Sequence, residues 1–181
     1  SHLILWSLTF NSWWNYLFLL FLLTKIQCNL NKQFYNSPND LVLESGEVLK
    51  KPTVAYNTYG SLSDKKDNVV WIFHALTAAS NVDEWWDGLV GEGKLFDPKK
   101  YFIVCANMLG SCYGSSGPNS INPDTGKAYN QSFPAVTIRD IINSQIELKN
   151  HLKIDKIKMA VGGSCGGYQA LEWLLMEPKT I

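Results

Sequence analysis

Two apolar runs that lack polar alternation, at residues 68–73 and 101–106, with a third, weaker one at 156–161, constrain this chain more than any other feature. A strand with one wet face alternates apolar and polar side chains, so a continuous apolar strand must be covered on both faces, as in a parallel sheet. The third run is the weakest. Before it, Thr137 with Asp140 three residues on makes a capping-box variant, and Ile138, Ile141, Ile142, Ile146 and Leu148 form an apolar stripe reaching Leu152. After it, a second helical stretch covers 168–177 and is stopped by Pro178. Strands alternating with helices predict an α/β fold with a mostly parallel central sheet and helices on both faces.

Upstream, residues 41–43 and Thr53–Tyr59 are separated by Gly46 and Pro52 and followed by Gly60-Ser61 and Ser63-Asp64. They predict an antiparallel hairpin or meander. The stretch 107–134 is rich in Gly, Ser, Asn and Pro, and a connection that long in a compact domain is expected to be a functional loop. There is no internal repeat.

The folded unit is expected to start near Phe34, which divides the chain into an apolar leader, 1–30, and an α/β unit, 31–181. The leader has no Lys or Arg before Lys25 and no small-residue cleavage site, so it does not read as a signal peptide. Its apolar run 16–23 is too short to span a bilayer, and the longer stretch 3–23 carries five Ser, Thr or Asn interruptions. A first residue of Ser rather than Met is expected of a fragment or of translated upstream sequence.

Sixteen basic and sixteen acidic residues cancel, with a pI near 6.8, so no electrostatic case exists for a nucleic acid or an anionic membrane. The expected partner is a small molecule. Cys28, Cys105, Cys112 and Cys165 have no paired spacing and no neighbouring His, which argues against a zinc site and against a secreted disulfide framework. A reducing cytoplasm is the expected setting, with no metal and no bound cofactor.

The chemistry centres on Gly162-Gly163-Ser164-Cys165-Gly166. A Gly-x-Ser-x-Gly pattern carries meaning when a strand feeds it and a helix leaves it, because the serine then sits on a strained turn above the sheet edge. Both conditions hold, so Ser164 is the candidate nucleophile, with Gly162 and Gly166 allowing close approach and Gly163 and Gly167 relaxing the turn further. The alternatives are a phosphate-binding or a purely structural turn. A Walker loop is disfavoured because Gly167 is followed by Tyr168-Gln169, and a dinucleotide fingerprint belongs after the first strand. Cys165 is the more reactive group in isolation. Its place after the apex instead assigns its backbone N–H to an oxyanion hole, with the Leu76 N–H after the run ending at Phe73 as second donor.

His74 precedes the serine and is expected to be structural, and His151 reads as a solvated helix residue. No His and no Asp follows Ser164, and Glu172 and Glu177 have no histidine to orient. A serine without a base is a weak nucleophile near neutral pH, so the chain alone is expected to be inactive.

Segments of this sequence, A-L-T at 75–77, E-W-W-D-G-L at 84–89, A-N-M-L-G-S-C-Y-G-S-S-G-P at 106–118, S-I-N-P-D-T-G at 120–126, F-P-A-V-T-I-R-D at 133–140 and G-G-S-C-G-G-Y-Q-A-L-E-W at 162–173, resemble homoserine O-acetyltransferase of the α/β-hydrolase superfamily. The resemblance runs from about Phe34 to the last residue; residues 1–30 match nothing in that family. It implies an α/β-hydrolase fold, seen here only through the helix after the serine. It implies acetyl transfer from acetyl-CoA, as co-substrate, through a seryl ester on Ser164 to L-homoserine, in methionine biosynthesis. Leu76 and Cys165 match the oxyanion donors, with Cys165 standing where relatives usually carry Met. The triad Asp and His lie beyond the matched positions. Arg139 is expected to tie the helix start to the loop 107–118 rather than to contact a substrate carboxylate, and Trp85 and Trp86 either to wall a pocket or to pack as core. A homodimer is the protein association left open. The competing readings are a serine esterase of the same fold and a non-catalytic remnant.

Overall fold

The computed structural model describes residues 32–181, nearly all within a unit spanning Gln33–Ile181. The readings of the leader fall outside the described residues. Nine strands are present among them: β1 (Lys32–Asn36), β2 (Leu41–Val42), β3 (Val48–Leu49), β4 (Thr53–Tyr59), β5 (Val69–Phe73), β6 (Phe102–Ala106), β7 (Ile121–Asn122), β8 (Lys127–Ala128) and β9 (Met159–Gly162). Helices α1 (Val82–Trp85), α2 (Ile138–His151) and α3 (Cys165–Met176), with a 3-10 turn at Asn130–Ser132, complete the regular structure.

Five strands form the main sheet in the order β1-β4-β6-β5-β9. The three apolar runs lie side by side, with β5 parallel to both β6 and β9. Strand β4 joins β6 antiparallel. Val69, Trp71 and Phe73 enter one core with Val104, Ile142, Leu148 and Trp173, while Val70 and Ile72 enter a second with Ile103, Val82, Val90 and Phe96. That alternation between two buried faces is why the run in β5 carries no polar residue. On the first face Trp71 and Trp173 meet edge-on with ring centroids 5.0 Å apart.

The expected pairing of residues 41–43 with Thr53–Tyr59 is corrected. Leu41–Val42 pairs with Val48–Leu49 in a separate ribbon, and β4 belongs to the main sheet. Leu41, Leu43 and Leu49 are buried, so burial of three leucines, with Gly46 at φ 84 in the turn, sets that ribbon. The capping box of α2 is present: Thr137 Oγ1 accepts from the Asp140 amide at 3.2 Å, and the Asp140 carboxylate accepts from the Thr137 amide at 2.9 Å. Asp140 also accepts from the Glu44 amide at 2.9 Å, fastening the ribbon to the start of α2. Among the described residues no helix is long and apolar enough to cross a membrane.

Candidate active site

Ser164 stands between β9 and α3 with φ 55 and ψ −126, a conformation that favours glycine. The glycines on either side show why the sequence must be built this way. A Cβ on Gly162 would stand 2.4 Å from the Gly166 carbonyl oxygen, and one on Gly166 would stand 2.1 Å from the Phe73 carbonyl oxygen. Both are closer than any real contact, so strand end, turn and helix start interlock only through glycine. The expected help from Gly163 and Gly167 is corrected: Gly163 faces open space and Gly167 has only an ordinary 3.5 Å contact.

Ser164 is exposed and its side chain makes no capping bond to α3. The Gly167 and Tyr168 amides are satisfied by the Ser164 carbonyl and the Gly166 amide by that of Gly163. The Cys165 amide has no acceptor among the described residues, and α3 directs its positive dipole end to the same point. Its thiol turns away from the turn to Met108, 3.7 Å from the Met108 sulfur.

Phe73 and Gly162 are register partners at the ends of adjacent parallel strands, so the loop after β5 and the turn after β9 leave the same sheet edge together. A Cβ on Gly166 would also come within 3.1 Å of the His74 carbonyl oxygen. Leu76, the second expected donor, lies in that loop; its side chain is exposed and its amide also lacks an acceptor among the described residues. Serine turn, Cys165 amide and Leu76 loop therefore share one sheet edge. Such an arrangement can present a hydroxyl beside two N–H groups able to accept a developing oxyanion.

The histidines are elsewhere in role. His74 is fully buried, its Nδ1 2.8 Å from the Ala75 carbonyl oxygen, and its Nε2 accepts the Met108 N–H at 3.2 Å. Burial pushes its pKa below the ordinary value, partly opposed by the bond to Ala75. His151 is exposed at the end of α2, its ring 4.8 Å from that of Tyr35. Arg139 is corrected: its Nε donates to Glu172 at 2.7 Å and lies 3.8 Å from Glu44, so it links α2 to α3 and to the β2–β3 ribbon rather than to the loop 107–118. Trp85 and Trp86 pack on the second core; Trp85 Nε1 donates to the Ala79 carbonyl at 2.8 Å and Trp86 stacks on Phe96. Neither lines the loop cavity formed by Gly110, Ser111, Cys112, Gly117 and Ser120.

Two buried polar chains support this edge and were not expected. Trp71 Nε1 donates to Gln145, Gln145 donates to Gln169, and Gln169 Nε2 approaches the His74 carbonyl at 3.5 Å. Asn107 clasps the Ser80 amide at 2.8 Å and the Ser80 hydroxyl at 2.9 Å, and that hydroxyl donates to Asn57. The signal for the first was in the sequence. Gln145 interrupts the apolar stripe of α2 at a core position, where a polar side chain requires a partner.

This turn has the strand-to-helix geometry of a nucleophile elbow on an α/β sheet, and the chain belongs to the alpha/beta hydrolase fold family, whose profile matches residues 68–181. Within that family it is similar to homoserine O-acetyltransferases. That of Carboxydothermus hydrogenoformans is 51% identical over 152 residues, 78% of this chain and 40% of the relative. A crystal structure of homoserine O-acetyltransferase from Bacillus anthracis superposes with TM-score 0.76 at 32% identity, covering 83% of this chain and 44% of that one. An acetylester hydrolase from Corynebacterium glutamicum superposes with TM-score 0.73 at 29% identity, covering 82% and 41%. The chain thus spans about two fifths of the length of the relatives it matches.

Proposed function

We propose that this chain is the nucleophile-bearing part of an acyltransferase that moves an acetyl group from acetyl-CoA to L-homoserine. The observation that carries the reading is the left-handed φ of Ser164 on a strand-to-helix turn closed by Gly162 and Gly166. The identity of about one half to homoserine O-acetyltransferases supports the choice of substrates.

In the proposed reaction the Ser164 Oγ attacks the thioester carbonyl of acetyl-CoA while a base takes its proton. The Leu76 and Cys165 N–H groups hold the oxyanion, the C–S bond breaks, and coenzyme A leaves as its thiol with a proton. The hydroxyl of homoserine then attacks the seryl ester, giving O-acetylhomoserine and restoring Ser164. Neither His74 nor His151 serves as the base: His74 has both ring nitrogens occupied, and His151 lies at the far end of α2. The base and its carboxylate partner are therefore assigned to parts of the whole enzyme outside these residues, and the chain alone is expected to turn over no substrate.

The likeness to an acetylester hydrolase favours one second reading, in which water discharges the acyl-enzyme. The test is thiol release from acetyl-CoA by the full-length protein with and without L-homoserine. Release that depends on homoserine supports the transferase; release indifferent to it favours the hydrolase.

A further inference from the structure

We propose that His74 is a positioning residue that aims the Leu76 N–H at the reaction centre by clamping the Ala75 carbonyl; this rests on the reading of Leu76 as an oxyanion donor. The Ala75 carbonyl and the Leu76 N–H belong to one trans peptide plane and point in opposite directions. Whatever fixes the carbonyl therefore fixes the amide. Two donors hold that oxygen, the His74 ring at 2.8 Å and the Ala78 amide at 2.9 Å.

The ring is itself held in one state. The Met108 amide can only donate, so Nε2 of His74 must be the acceptor, and the hydrogen of the neutral ring resides on Nδ1, facing Ala75. Gln169 approaches the His74 carbonyl from α3, the helix that opens at Ser164, and so ties the clamp to the elbow. The Leu76 N–H is left pointing away from these donors and from the core they belong to, beside an exposed side chain at the sheet edge that Ser164 occupies. Donation into a carbonyl also polarises its peptide, which strengthens the N–H on the far side. His74 takes no proton from substrate in this role. It orders a dipole before the reaction begins, so that none of the cost of orientation falls on the transition state.

The ring state is tested directly by nitrogen NMR of the ¹⁵N-labelled protein at pH 7. The clamp predicts a neutral His74 protonated on Nδ1; a ring protonated on Nε2, or charged, overturns it. The consequence for Leu76 is read in the full-length protein with an alkyl fluorophosphonate, which forms a P–O bond to Ser164 Oγ as fluoride leaves and the base takes the hydroxyl proton. In the adduct the phosphoryl oxygen is expected to move the Leu76 amide resonance downfield. His74→Asn, whose amide nitrogen replaces Nδ1, should keep that shift, and His74→Gln, whose nitrogen stands where Nε2 was, should lose it. Equal shifts in the two variants overturn the clamp. Failure of the reagent to label Ser164 in the unmodified full-length protein instead overturns the nucleophile reading, while the ring tautomer still decides the clamp.

Discussion

At Ser164 stability and chemistry pull against each other. A non-glycine residue at φ 55 stores strain of order 1–3 kcal/mol. Ser164→Gly should therefore raise the unfolding free energy by about 1 kcal/mol, while Ser164→Ala, which keeps the Cβ, should leave it near the wild-type value; urea denaturation of both checks this. The neighbouring glycines separate sharply. Gly166→Ala places a methyl group against the Phe73 carbonyl and should cost about 3 kcal/mol or more, whereas Gly163→Ala enters open space and should cost less than about 1 kcal/mol. For His74 the folded pKa lies below its ordinary value, so as the pH falls the unfolded chain takes up the proton first. This contribution to stability is complete above about 6.5, the unfolded value, and is lost as the pH falls through the folded value. Wild type should lose more stability than His74→Asn between pH 7.5 and 5.5, and parallel curves would contradict the assignment. The elbow was legible in the sequence because Gly-x-Ser-x-Gly states its own geometry. The His74 clamp was not, since it depends on Met108, whose backbone is brought to the ring only by the pairing of β5 with β6.

Elements were legible in proportion to how much of their own burial they carry. Strands β5 and β6 announce themselves because nearly every side chain is buried, and α2 because Thr137, Asp140 and an apolar stripe agree. Strand β1 reads Lys-Gln-Phe-Tyr-Asn and has no residue in the buried class, so its place at the sheet edge comes from backbone pairing that its side chains do not signal. Val48–Leu49 is a strand of two residues, too short to show a period in the sequence although Leu49 is buried. Buried polar links between elements offer a direct test. Gln145→Leu removes the acceptor of Trp71 Nε1 and one partner of Gln169, both buried, and should cost about 1–3 kcal/mol in denaturant unfolding. Lys149 is buried on α2 and donates to Glu177 at 2.9 Å, where Trp173 and Thr180 also donate. Burial raises the Glu177 pKa and these hydrogen bonds, led by that from Lys149, lower it further than burial raises it, leaving the carboxyl below its ordinary value. This contribution to stability is complete above about 4.5, the ordinary value, and is lost as the pH falls through the folded value, so Lys149→Met should lose less stability than wild type between about pH 5 and pH 3.

At the scale of the described residues as a whole, the main sheet ends in an edge strand on each side, β1 and β9. Among the described residues strand β9 pairs on one side only, and the neighbouring helix α3 exposes Tyr168, Leu171, Leu174 and Leu175. An unpaired strand beside an apolar helix face is a surface that associates. In sedimentation equilibrium the protein is expected to self-associate with rising concentration, and Leu171→Glu with Leu175→Glu should suppress it; a monomer at all concentrations would contradict this. The same open face adjoins Ser164, and the relatives are about two and a half times as long as the matched segment. The proposed nucleophile and oxyanion donors stand there without a usable base among the described residues. Acyl transfer through Ser164 is tested most directly by intact mass after the full-length protein is mixed with acetyl-CoA and quenched. A single added acetyl group on Ser164 that disappears on addition of L-homoserine, and never forms in Ser164→Ala, is the predicted result. Homoserine acetylation that persists in Ser164→Ala would contradict the account.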